Sequence, residues 1–211
     1  FRRCRSSAGA RLFRPTFPAI SNGQIVPFLL FLLSVSIRLF HDERWLSGGL
    51  VMSALSLKPS IGIPILVLAG VWLLAGKQWR ALAGMALGGL TLALMGVIVN
   101  YRWVIDYLSI GGDSFQKYFG MQPTIWGLLD RIFETDKTSL MVGIVCAAAV
   151  LGIEAYLFWK YRTRLSSYPA FATFLPAMLF IAPYSWNYDQ ILLAVPIIFL
   201  LMHISREYGM V

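Results

Sequence analysis

The sequence predicts an all-α fold: a polytopic transmembrane helical bundle of about six or seven membrane segments, with interfacial helices in one long loop. Three observations carry that prediction. Of 211 residues, 58% are hydrophobic and 13% charged, with a mean hydropathy of +0.68, whereas a soluble domain carries about 25% charge. The charges fall in short islands between apolar runs. Those runs recur at 25–40, 46–57, 60–75, 81–99, 139–159, 167–182 and 189–204, which is the pattern of membrane helices. The chain reads as a single transmembrane domain over 1–211, with no internal repeat and no linker. Its formal net charge of +8 would suggest nucleic acid in a soluble protein. In a membrane protein it belongs to basic cytoplasmic loops, so the expected partner is a lipid bilayer and not nucleic acid. Cys4 and Cys146 suggest neither a disulfide framework nor a metal site.

The first element, 1–20, is a basic non-spanning segment holding Arg2, Arg3, Arg5, Arg11 and Arg14. It opens on Phe1 with no apolar core directly following, which does not make a signal peptide. The chain reads as the C-terminal part of a longer protein. The run 25–40 begins after the polar cluster Ser21-Asn22-Gly23-Gln24 and ends near Arg38, which snorkels to the interface. The next stretch, Leu46 to Ala75, has an awkward length. As one helix it overshoots a hydrocarbon core of ~30 Å, yet two spans of ~20 residues do not fit. Lys58-Pro59 therefore breaks it into two short helices, because proline disfavours helical geometry at the preceding residue and removes a donor.

Ala81–Val99 and Leu140–Phe158 are the clearest spans. Between them lies a loop, Asn100 to Thr138, with four basic and five acidic residues. Within it Ile125, Leu128, Leu129, Ile132 and Phe133 form a helical stripe after Pro123, and Trp103, Val104, Tyr107 and Leu108 form a shorter one. Both suit helices lying in the membrane interface. The last two runs flank the turn Pro183-Tyr184-Ser185-Trp186-Asn187-Tyr188-Asp189-Gln190.

Orientation follows from the connections. Lys77 and Arg80, then Lys160, Arg162 and Arg164, then Arg206 are separated by pairs of spans, so all fall on one side, the cytoplasmic one. Lys58, Gln24, the long loop and the turn after Ile181 then face outward together. By the same count the basic tail falls outside, against the rule.

Lys58 is the only charge between Trp45 and Gly76. An ionisable group that deep in apolar sequence costs a few kcal/mol and marks a functional site by default; the plain alternative is snorkelling. Asp189 adjoins an apolar run without a basic neighbour in sequence. Asn22-Gly23 makes a good turn whatever else it does, and Tyr184 and Trp186 are of the type that anchors helices at an interface. Glu154 sits inside a span six residues before Lys160, and pairing with Lys160 or snorkelling is the expectation. His41 with Asp42 and Glu43 reads as a solvated turn rather than a metal site.

Gly23-Gln24 before a span, Lys58-Pro59 after a short apolar helix, the turn Gln78-Trp79-Arg80, and Pro183, Ser185-Trp186, Tyr188-Asp189 and Pro196 occur in an ordered set. This set resembles glycosyltransferase family 87, from about Pro15 to the end of the chain and over the C-terminal half of a typical member. The resemblance implies a polytopic GT-C-class enzyme, a mannosyltransferase-like protein of the bacterial plasma membrane. It would move a hexose from a polyprenyl-phosphate donor to a glycan or glycolipid acceptor on the outer face. It also implies that the catalytic carboxylate lies upstream of Phe1; an enzyme made of this chain alone would instead need a base from Asp189, Asp106 or Asp113, or from a partner subunit. Lys58 would bind the donor phosphate. Gln24, Asn22 and Asn187 would orient sugar hydroxyls, and Trp186 or Tyr188 would stack on a sugar face. No cofactor is expected, and a divalent metal remains open. Two other readings stay beside this one: a transporter of a small molecule or lipid, with the broken helix at its substrate site, and a non-catalytic membrane scaffold.

Overall fold

A computed structural model describes residues 16–109, 122–133, 136–161, 166–182 and 184–208, with backbone alone at 16–18 and 136. The basic tail, Asp113, Arg162, Arg164 and Pro183 lie outside the described residues. The described chain is helical, with no strand among the described residues. Its elements are α1 (Thr16–Ser21), α2 (Val26–His41), α3 (Trp45–Ser53), α4 (Pro59–Ala75), α5 (Trp79–Val99), α6 (Ile125–Phe133), α7 (Asp136–Tyr161), α8 (Ser167–Ile181) and α9 (Ala194–Glu207). Two 3₁₀ segments, Ala54–Leu57 and Asn187–Leu193, precede α4 and α9, and a helical stretch covers 103–109. Among the described residues, three helices are long and apolar enough to cross a membrane: Trp79–Val99, Lys137–Tyr161 and Asn187–Glu207. The other four apolar helices, Val26–His41, Trp45–Leu57, Pro59–Ala75 and Ser167–Ile181, are shorter.

The break expected at Lys58 is present. Trp45 begins a helix that tightens to 3₁₀ at Ala54 and stops at Lys58, whose φ of −124° and ψ of 81° are extended, with Pro59 opening α4. The Lys58 carbonyl then accepts from the Ile61 and Gly62 amides at 3.2 and 2.8 Å. Gly62 makes this elbow possible, since a Cβ there would run into the carbonyl oxygen of Leu55. Helices α3 and α5 run parallel in close contact. Gly49 faces the Ala81 backbone, and Gly84 faces Leu46 and Leu50, so small residues let two apolar helices meet backbone to backbone. Ser53 lies level with Gly88, while α5 continues to Val99. Lys58 therefore stops roughly 7 Å short of the end of α5, at ~1.5–2 Å rise per residue.

The half of the bundle nearest the basic turns is closed by aromatic packing. Phe40, Trp45, Trp72 and Phe171 have ring centroids 5.7 to 6.4 Å apart, and Phe174 joins them to Phe158. The Ser36 hydroxyl donates to the Gly48 carbonyl at 2.6 Å, tying α2 to α3.

The residues of the α6 stripe divide between two surroundings. Ile125 and Leu129, with Trp126, pack on Val142, Cys146 and Ala147 of α7, while Leu128 and Ile132 point outward. The Trp126 indole lies against Gly143 and donates to the Ile181 carbonyl at 3.0 Å. One expectation is corrected: Glu154 does not pair with Lys160. It is 9% exposed with Oε2 unpartnered, and the Lys160 ammonium sits over the Tyr156 and Tyr161 rings at 5.7 and 5.5 Å.

Candidate functional site

The site grows from the Lys58 elbow. Stopping the first short helix there leaves the ammonium inside the bundle with 15% of its side chain exposed. The turn after α8 returns a carboxylate to the same place. Asn187–Leu193 winds as a 3₁₀ segment against α1, α2, α8 and α9, and Asp189 in it is fully buried. One Asp189 carboxylate oxygen, Oδ1, accepts from Lys58 Nζ. The other, Oδ2, accepts from the backbone N–H of Trp186 at 2.8 Å, and the Asp189 amide donates back to the Trp186 carbonyl at 2.9 Å. The carboxylate thus fixes the turn and the lysine together. Across 131 residues of separation, no local pattern pairs them.

An aromatic ladder lines the approach. The Lys58 ammonium lies 4.8 Å from the Tyr188 ring centroid, Tyr188 stacks on Trp186 at 6.5 Å, and Trp186 meets Tyr184 edge-on at 5.8 Å. Ring faces of this kind attract a cation and offer flat apolar surfaces. Asn187 is exposed beside them. The loop between α5 and α6 comes over the same elbow. Burial pushes the titration of the Tyr107 hydroxyl upward, and the Ser60 backbone N–H in the first turn of α4, within its reach, opposes that shift. Beside it, Trp103 packs its indole on Gly96 of α5. Gln122 and Thr124, at the start of α6, are 3% and 2% exposed. Gln122 accepts from the Ser185 N–H at 3.2 Å, yet its own amide nitrogen and the Thr124 hydroxyl are unpartnered.

The structure therefore brings Lys58, Asp189, Trp186, Asn187 and Tyr188 to one place. Asn22 and Gln24 belong to the neighbouring α1–α2 connection, where Gly23 takes a φ of +61° and the Gln24 N–H donates to the Ala19 carbonyl. Neither side chain hydrogen-bonds the pair. Sequence reasoning missed Ser60, Gln122 and Thr124 altogether. Tyr107 was visible only as part of an apolar stripe. Asp106 accepts from the Asn100 amide at 2.9 Å and lies one residue from Tyr107. His41 and Asp42 are exposed at the opposite end, where Asp42 pairs with Arg38 at 2.9 Å. Among the described residues no cluster of three His, Cys, Asp or Glu could hold a metal ion.

A buried Lys–Asp pair beside aromatic rings, inside an apolar helical bundle, is chemically suited to meeting an anionic group. Among known families, the model of glycosyltransferase family 87 matches residues 4–202. No curated protein and no solved structure matches the chain.

Proposed function

The chain belongs to glycosyltransferase family 87, and from that premise we propose that it transfers a hexose, mannose or a close relative, from a polyprenyl-phosphate donor to a glycan or glycolipid acceptor. The reaction would take place on the outer face of a bacterial plasma membrane. That the protein is a membrane glycosyltransferase follows from the family and from its apolar helices; donor, sugar and side are this proposal. The observation that carries it is the Lys58–Asp189 pair beneath the Tyr188–Trp186–Tyr184 ladder.

In this reading the acceptor hydroxyl attacks the anomeric carbon, the bond to the donor phosphate breaks, and negative charge grows on the leaving polyprenyl phosphate. Lys58 meets that charge. An ammonium near low dielectric acts strongly on phosphate, and the first turn of α4 adds the positive end of a helix dipole. The lysine is already desolvated and oriented by Asp189, so little reorganisation is needed when the charge appears. With both its oxygens engaged, Asp189 is better suited to positioning Lys58 than to accepting the acceptor's proton. That proton would go to another carboxylate. Trp186 and Tyr188 offer faces for the sugar ring, and Asn187, with Asn22 and Gln24 from the α1–α2 turn, would orient its hydroxyls.

The test is transfer kinetics of the full-length protein with Lys58→Ala and Lys58→Arg. Removing a preorganised donor from a developing anion costs ~10²–10³ in rate, so Lys58→Ala should lower kcat/KM by at least ~100-fold. Lys58→Arg, which keeps charge but changes geometry, should retain part of the rate. A Lys58→Ala enzyme within about twofold of wild type ends the phosphate assignment. A transporter reading draws on the broken helix at Lys58. Sugar transfer by purified protein in detergent, where no gradient exists, separates the two.

A further inference from the structure

At the end of the bundle opposite the Lys58 elbow, α2, α8 and α9 leave a cleft of about 530 Å³. This is the end of Lys77, Arg80 and Lys160, the cytoplasmic end by the bias of basic residues. Among the described residues, the charged side chains lining the cleft are Arg38 and Arg206, with His41 and His203 and the Tyr168 hydroxyl beside them, and no carboxylate lines it. Its lower wall is apolar and includes Ile198 and Met202 of α9, 56% and 52% exposed. No residue of α9 is buried, so this helix presents an apolar face that the described residues leave uncovered.

We propose that the cleft binds an anionic phospholipid of the inner leaflet, its phosphate between Arg38 and Arg206 and an acyl chain along Ile198 and Met202. Charge complementarity at the rim and an apolar wall running from it into the membrane fit one molecule carrying both features. A soluble phosphate would use only the first. Basic pockets between transmembrane helices on the cytoplasmic side are where such headgroups are held. Arg38 already pairs with Asp42 at 2.9 Å and lies beside the Tyr168 hydroxyl. That pair is exposed on both sides, 65% and 39%, so it contributes little, and a guanidinium has five donors to share. His203 is taken up by Glu207 at 3.3 Å, and His41 lies on the Tyr168 ring at 5.1 Å; neither is needed.

The experiment is native mass spectrometry of the full-length protein from nanodiscs holding phosphatidylglycerol and phosphatidylcholine at equal mole fraction. The wild type should retain phosphatidylglycerol selectively. Arg38→Gln with Arg206→Gln should lose that preference by roughly tenfold to thirtyfold, and Arg206→Gln alone by several-fold. A circular dichroism melt of each variant reports folding. Arg102→Gln, at an exposed arginine just beyond the far end of α5, should retain the lipid as the wild type does. The proposal is overturned by equal retention of the two lipids, by selectivity that survives the double substitution, or by loss of selectivity in Arg102→Gln. Displacement of the lipid by glycerophosphate at matched concentration would replace it with a soluble anion, and failure to retain any lipid would end the proposal.

Discussion

Lys58 is held in place by a residue 131 positions away, and that pairing gives the sharpest predictions at the residue scale. Removing one partner of a buried pair costs about 3–5 kcal/mol in a dry interior, and less where, as here, Lys58 keeps 15% of its side-chain surface. Asp189→Asn should therefore lower both the thermal midpoint in detergent and the transfer rate. Replacing both by apolar residues, Lys58→Met with Asp189→Leu, removes the stranded charge and should recover most of the stability while activity stays lost. If the double substitution melts no higher than Asp189→Asn, the pair is not what Asp189 contributes. Lys58, Asp189 and Trp186 were each visible in sequence as polar or aromatic residues beside apolar runs. That Asp189 spends one oxygen on Lys58 and one on the Trp186 amide was not, because a carboxylate's partners depend on which helices pack together.

At the scale of elements, the break in the second apolar stretch and the contact between α3 and α5 set the depth of the site. Gly84 lies against the backbone of Leu46 and Leu50, where no flexible side chain can yield. Gly84→Ala should push α3 from α5 and cost about 1–3 kcal/mol. Gly89, five residues on and about 140° round the helix, has nothing within 4 Å of an added Cβ. Gly89→Ala should be neutral or stabilising by up to ~1 kcal/mol, since alanine is the better helix former. Thermal melts of the two variants side by side check this, and equal destabilisation would mean that helix propensity rather than close contact explains Gly84. The helix break was legible because proline acts on its own neighbours. The choice of Gly84 over Gly89 was not, since both sit in the same apolar run and only the rotation of α5 against α3 tells them apart.

For the whole molecule, the bundle has two unlike ends: aromatic packing and basic turns at one, the Lys58–Asp189 pair and the α6 loop at the other. A thiol placed at Asn187 and one placed at Lys77, each in a chain with Cys4 and Cys146 replaced by serine, should react with a membrane-impermeant reagent from opposite faces. Labelling of both from one face would overturn the orientation. The sequence by itself determined the helices, the break at Lys58-Pro59 and which turns share a side. These follow from apolar run length, from proline stereochemistry and from the distribution of lysine and arginine, all local quantities. Only the tertiary structure decided that Lys58 meets Asp189, that Tyr107 reaches Ser60, that Trp126 turns α6 onto Gly143, and that Arg38 and Arg206 share a cleft. Each depends on how one helix is rotated and shifted against another, and in an apolar bundle many residues around a helix are hydrophobic enough to face inward. Close packing of particular glycines and rings, together with the demand that buried polar groups find partners, fixes that choice.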